Sequence, residues 1–207
     1  MKTLIAVPAM DQTPTLFTQS LVLMKKVGEV SCGFQIGSLV YDARNGLGKQ
    51  AISGDYDYVL WLDSDMVFDP DLMEKMIKKL QDNDLDILTG LYFRRVPPYS
   101  PVLFDRLDYT DNKAYWSEYV NLPENTLIEV GGCGFGCVLM TTDVLMSVQA
   151  KFNTMFQPMQ GLGEDLAFCW RARECGYKIM CDTGLVVGHV GQCVVNDIYW
   201  RSYRHES

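Results

Sequence analysis

The sequence holds no C-x-x-C pair, no basic stripe and only two histidines, and no apolar stretch near the ~20 residues of a membrane-spanning helix. Each shortage excludes something. Seven cysteines, at 32, 133, 137, 169, 175, 181 and 193, form an odd and scattered set, the usage of reduced thiols rather than of a disulfide framework. Cys133 and Cys137 lack a second Cys/His pair at ligand spacing, so structural zinc is not expected. Without a basic stripe nothing neutralises the phosphates of duplex nucleic acid, and no such partner is expected. Met1 to Met10 contain one lysine and a short apolar run, below the pattern of an export signal, so a cytoplasmic protein without a membrane span is expected. The glycines of 131–136 precede no G-K-[ST], and no strand–GxGxxG–helix unit occurs. P-loop ATPases and nicotinamide dehydrogenases are thereby removed.

What is present is a chain of 207 residues, 48% hydrophobic and 21% charged, enough to bury one sizeable core. No repeat, low-complexity tract or linker divides it, and 1–207 reads as one domain. The net charge is −8, unevenly placed: from Asp55 to Asp86, nine of the 18 aspartates and Glu74 face only Lys75, Lys78 and Lys79. One acidic block in an otherwise nearly neutral chain asks for a local explanation.

Hydrophobic periodicity predicts an α/β pattern. Leu4 to Val7, ending at Pro8, reads as a central parallel strand. Thr13 as N-cap and Pro14 at the first helical position open a helix. A strand over 30–36, a helix over 41–52 and a strand over 58–62 follow, the last running into Asp63-Ser64-Asp65. Asp69 with Pro70 reads as the start of another helix, carrying Leu72, Met73, Met76, Ile77 and Leu80 as its apolar stripe. After a strand over 86–90, the polar, aromatic stretch from Tyr92 to Asn125 reads as loops with short antiparallel strands, the place for contacts with a binding partner. A glycine-rich turn enters a strand near Val138, with a helix capped near Asp143. A further helix opens at Gly163-Glu164-Asp165 and stops at Gly176. Strands over 177–181 and 185–187 and a polar, aromatic tail complete the chain.

Three constellations carry potential chemistry. Asp63 and Asp65 stand at i and i+2 after an apolar strand, and on extended chain both carboxylates project to one side. Ligands of open α/β sheets lie beyond the carboxyl ends of the strands, and hard divalent cations take carboxylate oxygens. The competing reading, that these aspartates cap the next helix, is weakened by Asp69, which is expected to do so. Glu164 and Asp165 open a helix, where acidic residues are favoured by the macrodipole alone; an acid-base role is the alternative. His189 follows a strand, as a structural residue or as a ligand, while His205 in the tail reads as exposed.

In this order and spacing the constellations resemble a glycosyltransferase of the GT-A fold, close to the family-two group and its small, soluble bacterial or phage members. The resemblance rests on Ala6-Val-Pro8, Ala43-Arg-Asn45, Trp61-Leu-Asp-Ser-Asp-Met66, Thr89-Gly-Leu-Tyr-Phe-Arg-Arg95, Val138-Leu-Met140, Gly163-Glu-Asp-Leu-Ala-Phe-Cys169, and Asp182 with Gly188-His189. It implies a Rossmann-like, mostly parallel sheet flanked by helices, with a small antiparallel acceptor-side region. It implies Asp65 as the ligand of a manganese or magnesium ion that holds a nucleotide-diphosphate-sugar donor, UDP-sugar foremost. Asp63 would face the ribose and the metal shell, His189 would complete the metal site, and Pro8 and Arg44 would cradle the nucleoside. Asp165 matches the base of an inverting displacement, with Glu164 its competitor. The acceptor would be a hydroxyl on a carbohydrate, a lipid-linked group or a protein. Alternatives are a nucleotidyltransferase acting on sugar phosphates, for which the residues after Pro8 lack a glycine-rich basic loop, and a non-catalytic carbohydrate-binding protein on a degenerate transferase fold.

Overall fold

The computed structural model describes residues 1–191 and 194–206, except the side chains of 199 and 203–206; Cys193 and the side chain of His205, for which the sequence gives expectations, lie outside what is described. The chain runs β1 (Lys2–Ala9), α1 (Thr15–Leu23), β2 (Glu29–Ile36), α2 (Val40–Ser53), β3 (Tyr58–Leu62), β4 (Met66–Val67), α3 (Leu72–Asp82) and β5 (Ile87–Leu91). The antiparallel hairpin β6 (Leu103–Thr110) and β7 (Lys113–Glu118) follows, then β8 (Leu127–Val130), β9 (Gly132–Cys133), β10 (Cys137–Thr141), α4 (Thr142–Phe152) and α5 (Glu164–Glu174). The chain closes with β11 (Ile179–Val186), β12 (Gly188–Val190), β13 (Val194–Val195) and α6 (Asp197–Glu206).

Seven strands form the central sheet in the order β2-β1-β3-β10-β5-β11-β8. β2, β1, β3, β5 and β11 share one direction, while β10 and β8 run against it. Alternation along the inner strands sorts the core. Leu4, Ala6, Val59 and Trp61 pack on one face with Leu47 of α2, Val144 of α4 and Ala167 of α5. Ile5, Val7, Leu60 and Leu62 pack on the other with Phe17 of α1 and Met73 and Met76 of α3. Strands buried on both faces need the continuous apolar runs that the sequence shows.

The structure corrects several boundaries. Pro8 continues β1, opposite Gln35 of β2. Helix α1 starts one residue late, with Pro14 at its N-cap position and the Thr13 hydroxyl turned to that of Thr18 at 2.9 Å. Asp69 does not cap α3: the Leu72 N–H donates to the Asp69 carbonyl at 3.1 Å, closing a turn before Asp71, whose carbonyl takes the first helical bond from Lys75 at 2.9 Å. The two last strand candidates are one strand, β11, with a register shift between Asp182 and Val186. The tail holds α6, whose Trp200 stacks on Phe93 at 5.2 Å and 28°.

Candidate active site

Strand β3 ends at Leu62, and the Met66 N–H then donates to the Asp63 carbonyl at 3.2 Å, folding residues 63–66 into a turn. The two-residue repeat of a strand therefore does not extend through Asp65. As a result the two aspartates address different cations. Asp63 Oδ1 accepts from Arg44 at 2.8 Å, and Asp65 Oδ2 accepts from Arg95 at 2.6 Å and faces His189 Nε2 at 3.3 Å. Both still line one cavity of about 400 Å³, together with Pro8, Arg44, Glu164, Asp165 and His189. Every site residue expected from the sequence is thus in this cavity. A larger one, about 510 Å³, lies between the 120–125 loop and α6 and holds none of them.

Arg44 comes from the first turns of α2 and is nearly fully buried. Its guanidinium joins the two halves of the site, donating to Asp63 and, at 2.7 Å, to Glu164 Oε1, with the Phe135 ring 5.2 Å beneath. Burial alone would weaken its charge, but the carboxylates of Asp63, Glu164 and Asp165 outweigh that and hold it firmly protonated. Asp165, one residue beyond Glu164, forms no ion pair among the described residues; its Oδ1 accepts the Leu166 N–H at 2.7 Å. Burial pushes its carboxyl up to about 6, with Glu164 adding to the rise and Arg44 opposing it. A carboxylate tuned toward neutrality in a cleft suits proton abstraction near pH 7.

His189 sits on β12, which pairs with β4 just after the aspartate turn. Its Nδ1 lies 2.9 Å from the Phe93 carbonyl, which can only accept, so Nδ1 carries the hydrogen and Nε2 faces Asp65. Burial is the largest influence and disfavours the imidazolium, but the hydrogen bonds to Asp65 and the Phe93 carbonyl and the Asp65 charge together outweigh it, and the pKa is raised. For Asp65, burial is likewise outweighed by His189 and Arg95, and its carboxyl is held below the usual range. An imidazole nitrogen and a carboxylate oxygen 3.3 Å apart fit adjacent ligands of a Mn²⁺- or Mg²⁺-sized ion, which lie about 3 Å apart in octahedral geometry. Among the described residues no three His, Cys, Asp or Glu side chains converge as a cage. That also suits such ions, which take one or two protein carboxylates and complete their shell with phosphates and water.

Two residues of the cavity carry no signal of their own in the sequence. Tyr92, fully buried, accepts the Gly136 N–H at 3.1 Å and meets the His189 ring edge-on at 5.8 Å. Burial drives its hydroxyl well above the ordinary phenol range, so it stays a neutral wall. Arg95 is legible in the sequence only as the end of the Thr89–Arg95 motif, without a role. The glycine-rich turn at 131–136 lies largely within the core: a Cβ at Gly136 would come within 2.8 Å of the Tyr92 ring.

Beyond its strand ends the α/β sheet thus gathers two aspartates, the acids that open α5, two guanidinium groups and an imidazole in one cleft. The profile described as Glycosyl transferase family 2 matches residues 43–147, and the chain belongs to that family. Among solved structures the chain is similar to A197 from STIV, at 18% identity and a TM-score of 0.66, over 92% of this chain and 86% of that one. It is also similar to GalNAc-T7 with UDP, GalNAc and Mn²⁺, at 9% identity and a TM-score of 0.63, over 92% of this chain but only 44% of the other. At such identities the likeness concerns the fold. No curated protein matches the chain, and no helix among the described residues is long and apolar enough to cross a membrane.

Proposed function

We propose that the protein transfers a sugar from a nucleotide-diphosphate-sugar, UDP-sugar foremost, to an acceptor hydroxyl by a single inverting displacement. The observation that carries this reading is the meeting of Asp63, Asp65, Asp165 and His189 in one cavity, which a degenerate binding module has no need to maintain. Asp165 is the base. Glu164 is neutralised by Arg44 at 2.7 Å, whereas Asp165 keeps an unpaired, desolvated carboxylate that can take the acceptor proton as its oxygen attacks the anomeric carbon. Asp65 and His189 would hold the divalent cation, which when bound offsets the charge building on the departing diphosphate. Pro8, Ala9 and Met10 line the cavity and would cradle the nucleoside. Arg44 acts on the donor through the carboxylates it holds, Asp63 above all.

The acceptor hydroxyl belongs to a carbohydrate, a lipid-linked group or a protein. The six described cysteines are free thiols, which supports a reduced, cytoplasmic setting. A thermal-shift panel of nucleotide diphosphates and nucleotide-sugars, with and without manganese, tests donor and metal together. A ligand at 100 times its Kd stabilises by about 2.7 kcal/mol, and this stabilisation is expected for UDP ligands with manganese and lost in Asp65→Ala. Absence of any shift with every nucleotide tried overturns the reading.

A further inference from the structure

Arg94 and Arg95 follow β5 side by side, and their side chains part. Arg94 reaches Glu118 on the antiparallel hairpin at 2.6 Å, outside the cavity. Arg95 turns into the cavity and pairs with Asp65 Oδ2 at 2.6 Å, the same oxygen that faces His189 Nε2. It is also half in solvent, with a side chain 54% exposed against 4% for Arg44. Asp65 is its only ion-pair partner among the described residues.

One oxygen cannot serve a guanidinium and a divalent cation together without strong repulsion, because like charges at contact distance in a partly desolvated site repel well above thermal energy. An anion relieves that conflict. A guanidinium fork matches phosphate oxygens in a bidentate manner, and a half-exposed, flexible side chain can move to them without disturbing the core. We propose that Arg95 makes cation binding at Asp65 conditional on the nucleotide diphosphate. Without a diphosphate, Arg95 occupies Asp65 as its counter-charge; with one in the cavity, Arg95 exchanges Asp65 for phosphate oxygens and releases the carboxylate to the cation. This inference rests on the donor and cation reading above and adds an order to it: the cation alone binds weakly, and cation and nucleotide strengthen each other.

The test follows Mn²⁺ uptake by the full chain through the electron paramagnetic resonance signal of the free ion, without nucleotide and with UDP or GDP. Allosteric couplings typically span 5–150-fold, and Arg95→Gln is expected to bind Mn²⁺ alone about tenfold more tightly than the unaltered protein and UDP in saturating Mn²⁺ about tenfold more weakly. Arg94→Gln is the control and is expected to leave both affinities unchanged. Unchanged or weaker uptake of Mn²⁺ alone by Arg95→Gln overturns the competition. Tighter Mn²⁺ with unaltered UDP affinity overturns the exchange onto phosphate. If no form takes up Mn²⁺ with any nucleotide while UDP itself binds, the cation reading fails and this inference fails with it. That pattern is distinct from the first two, in which the unaltered protein with UDP does take up Mn²⁺.

Discussion

Arg44 makes unequal two carboxylates that are neighbours in the chain. Glu164 is spent on the guanidinium at 2.7 Å, while Asp165 sits desolvated with its pKa near 6. Asp165→Asn is therefore expected to lower transfer by about 10²–10⁴-fold and leave nucleotide binding intact, measured by turnover beside thermal shift with UDP. Transfer by the unaltered protein should fall about tenfold per pH unit below 6 as the base is protonated. The same shift has a consequence for stability. Asp165 titrates near 6 when folded and at its ordinary 3.8 when unfolded. As pH rises through that window the unfolded chain gives up its proton first, so this group's contribution declines from pH 4 to 6 and stays low above. Asp165→Asn should then be the more stable protein at pH 8, by about 1–3 kcal/mol, read from denaturant midpoints at pH 4 and 8. Equal gains at both pH values would remove titration as the cause.

At the scale of elements, the glycine-rich turn and the α5 N-terminus form the back of the cleft. A Cβ at Gly134 would collide with the Tyr92 hydroxyl, which accepts the Gly136 N–H and whose ring borders His189. Gly134→Ala is expected to destabilise the fold by about 1–3 kcal/mol through overpacking and to weaken the manganese response by shifting Tyr92. Denaturation and thermal shift measure the two effects separately. Helix α6 illustrates an element that sequence patterning misses. Its ten residues are polar and aromatic, and a helix this short is marginal in water by itself; Trp200 docks it by stacking on Phe93 at 5.2 Å. Because the Phe93 carbonyl also orients His189, Trp200→Ala is expected to cost about 1–3 kcal/mol and to raise amide exchange across α6 and β12. Unaltered exchange at β12 would separate the helix from the site.

Across the whole molecule, the acidic block from Asp55 to Asp86 marks the strand and turn that bring Asp63 and Asp65 to the cleft, and part of the rest of its charge is paired within the block. Lys75 pairs with Asp71 and Lys78 with Asp82 along α3. The apolar runs of β1, β3 and β5 and the helical stripe of α3 are legible because burial on one or two faces imposes a fixed period on nearby residues. Asp63 and Asp65 stand out as a strand-end motif and Glu164 and Asp165 as a helix-start one, because such motifs are local as well, whereas His189 is singled out only by the family resemblance. The true start of α3 at Asp71 was not legible, since a turn and a helix start offer the same residues and Asp69 reads as the cap. The sequence by itself determined the inner strands and the helices that cover them, and which chemical groups stand at their ends. Only the tertiary structure decided which carboxylate meets which cation. Arg44 and Glu164 are 120 positions apart, and Asp65 and His189 are 124 apart. Such pairs depend on the order in which the strands assemble, and no period along the chain encodes it.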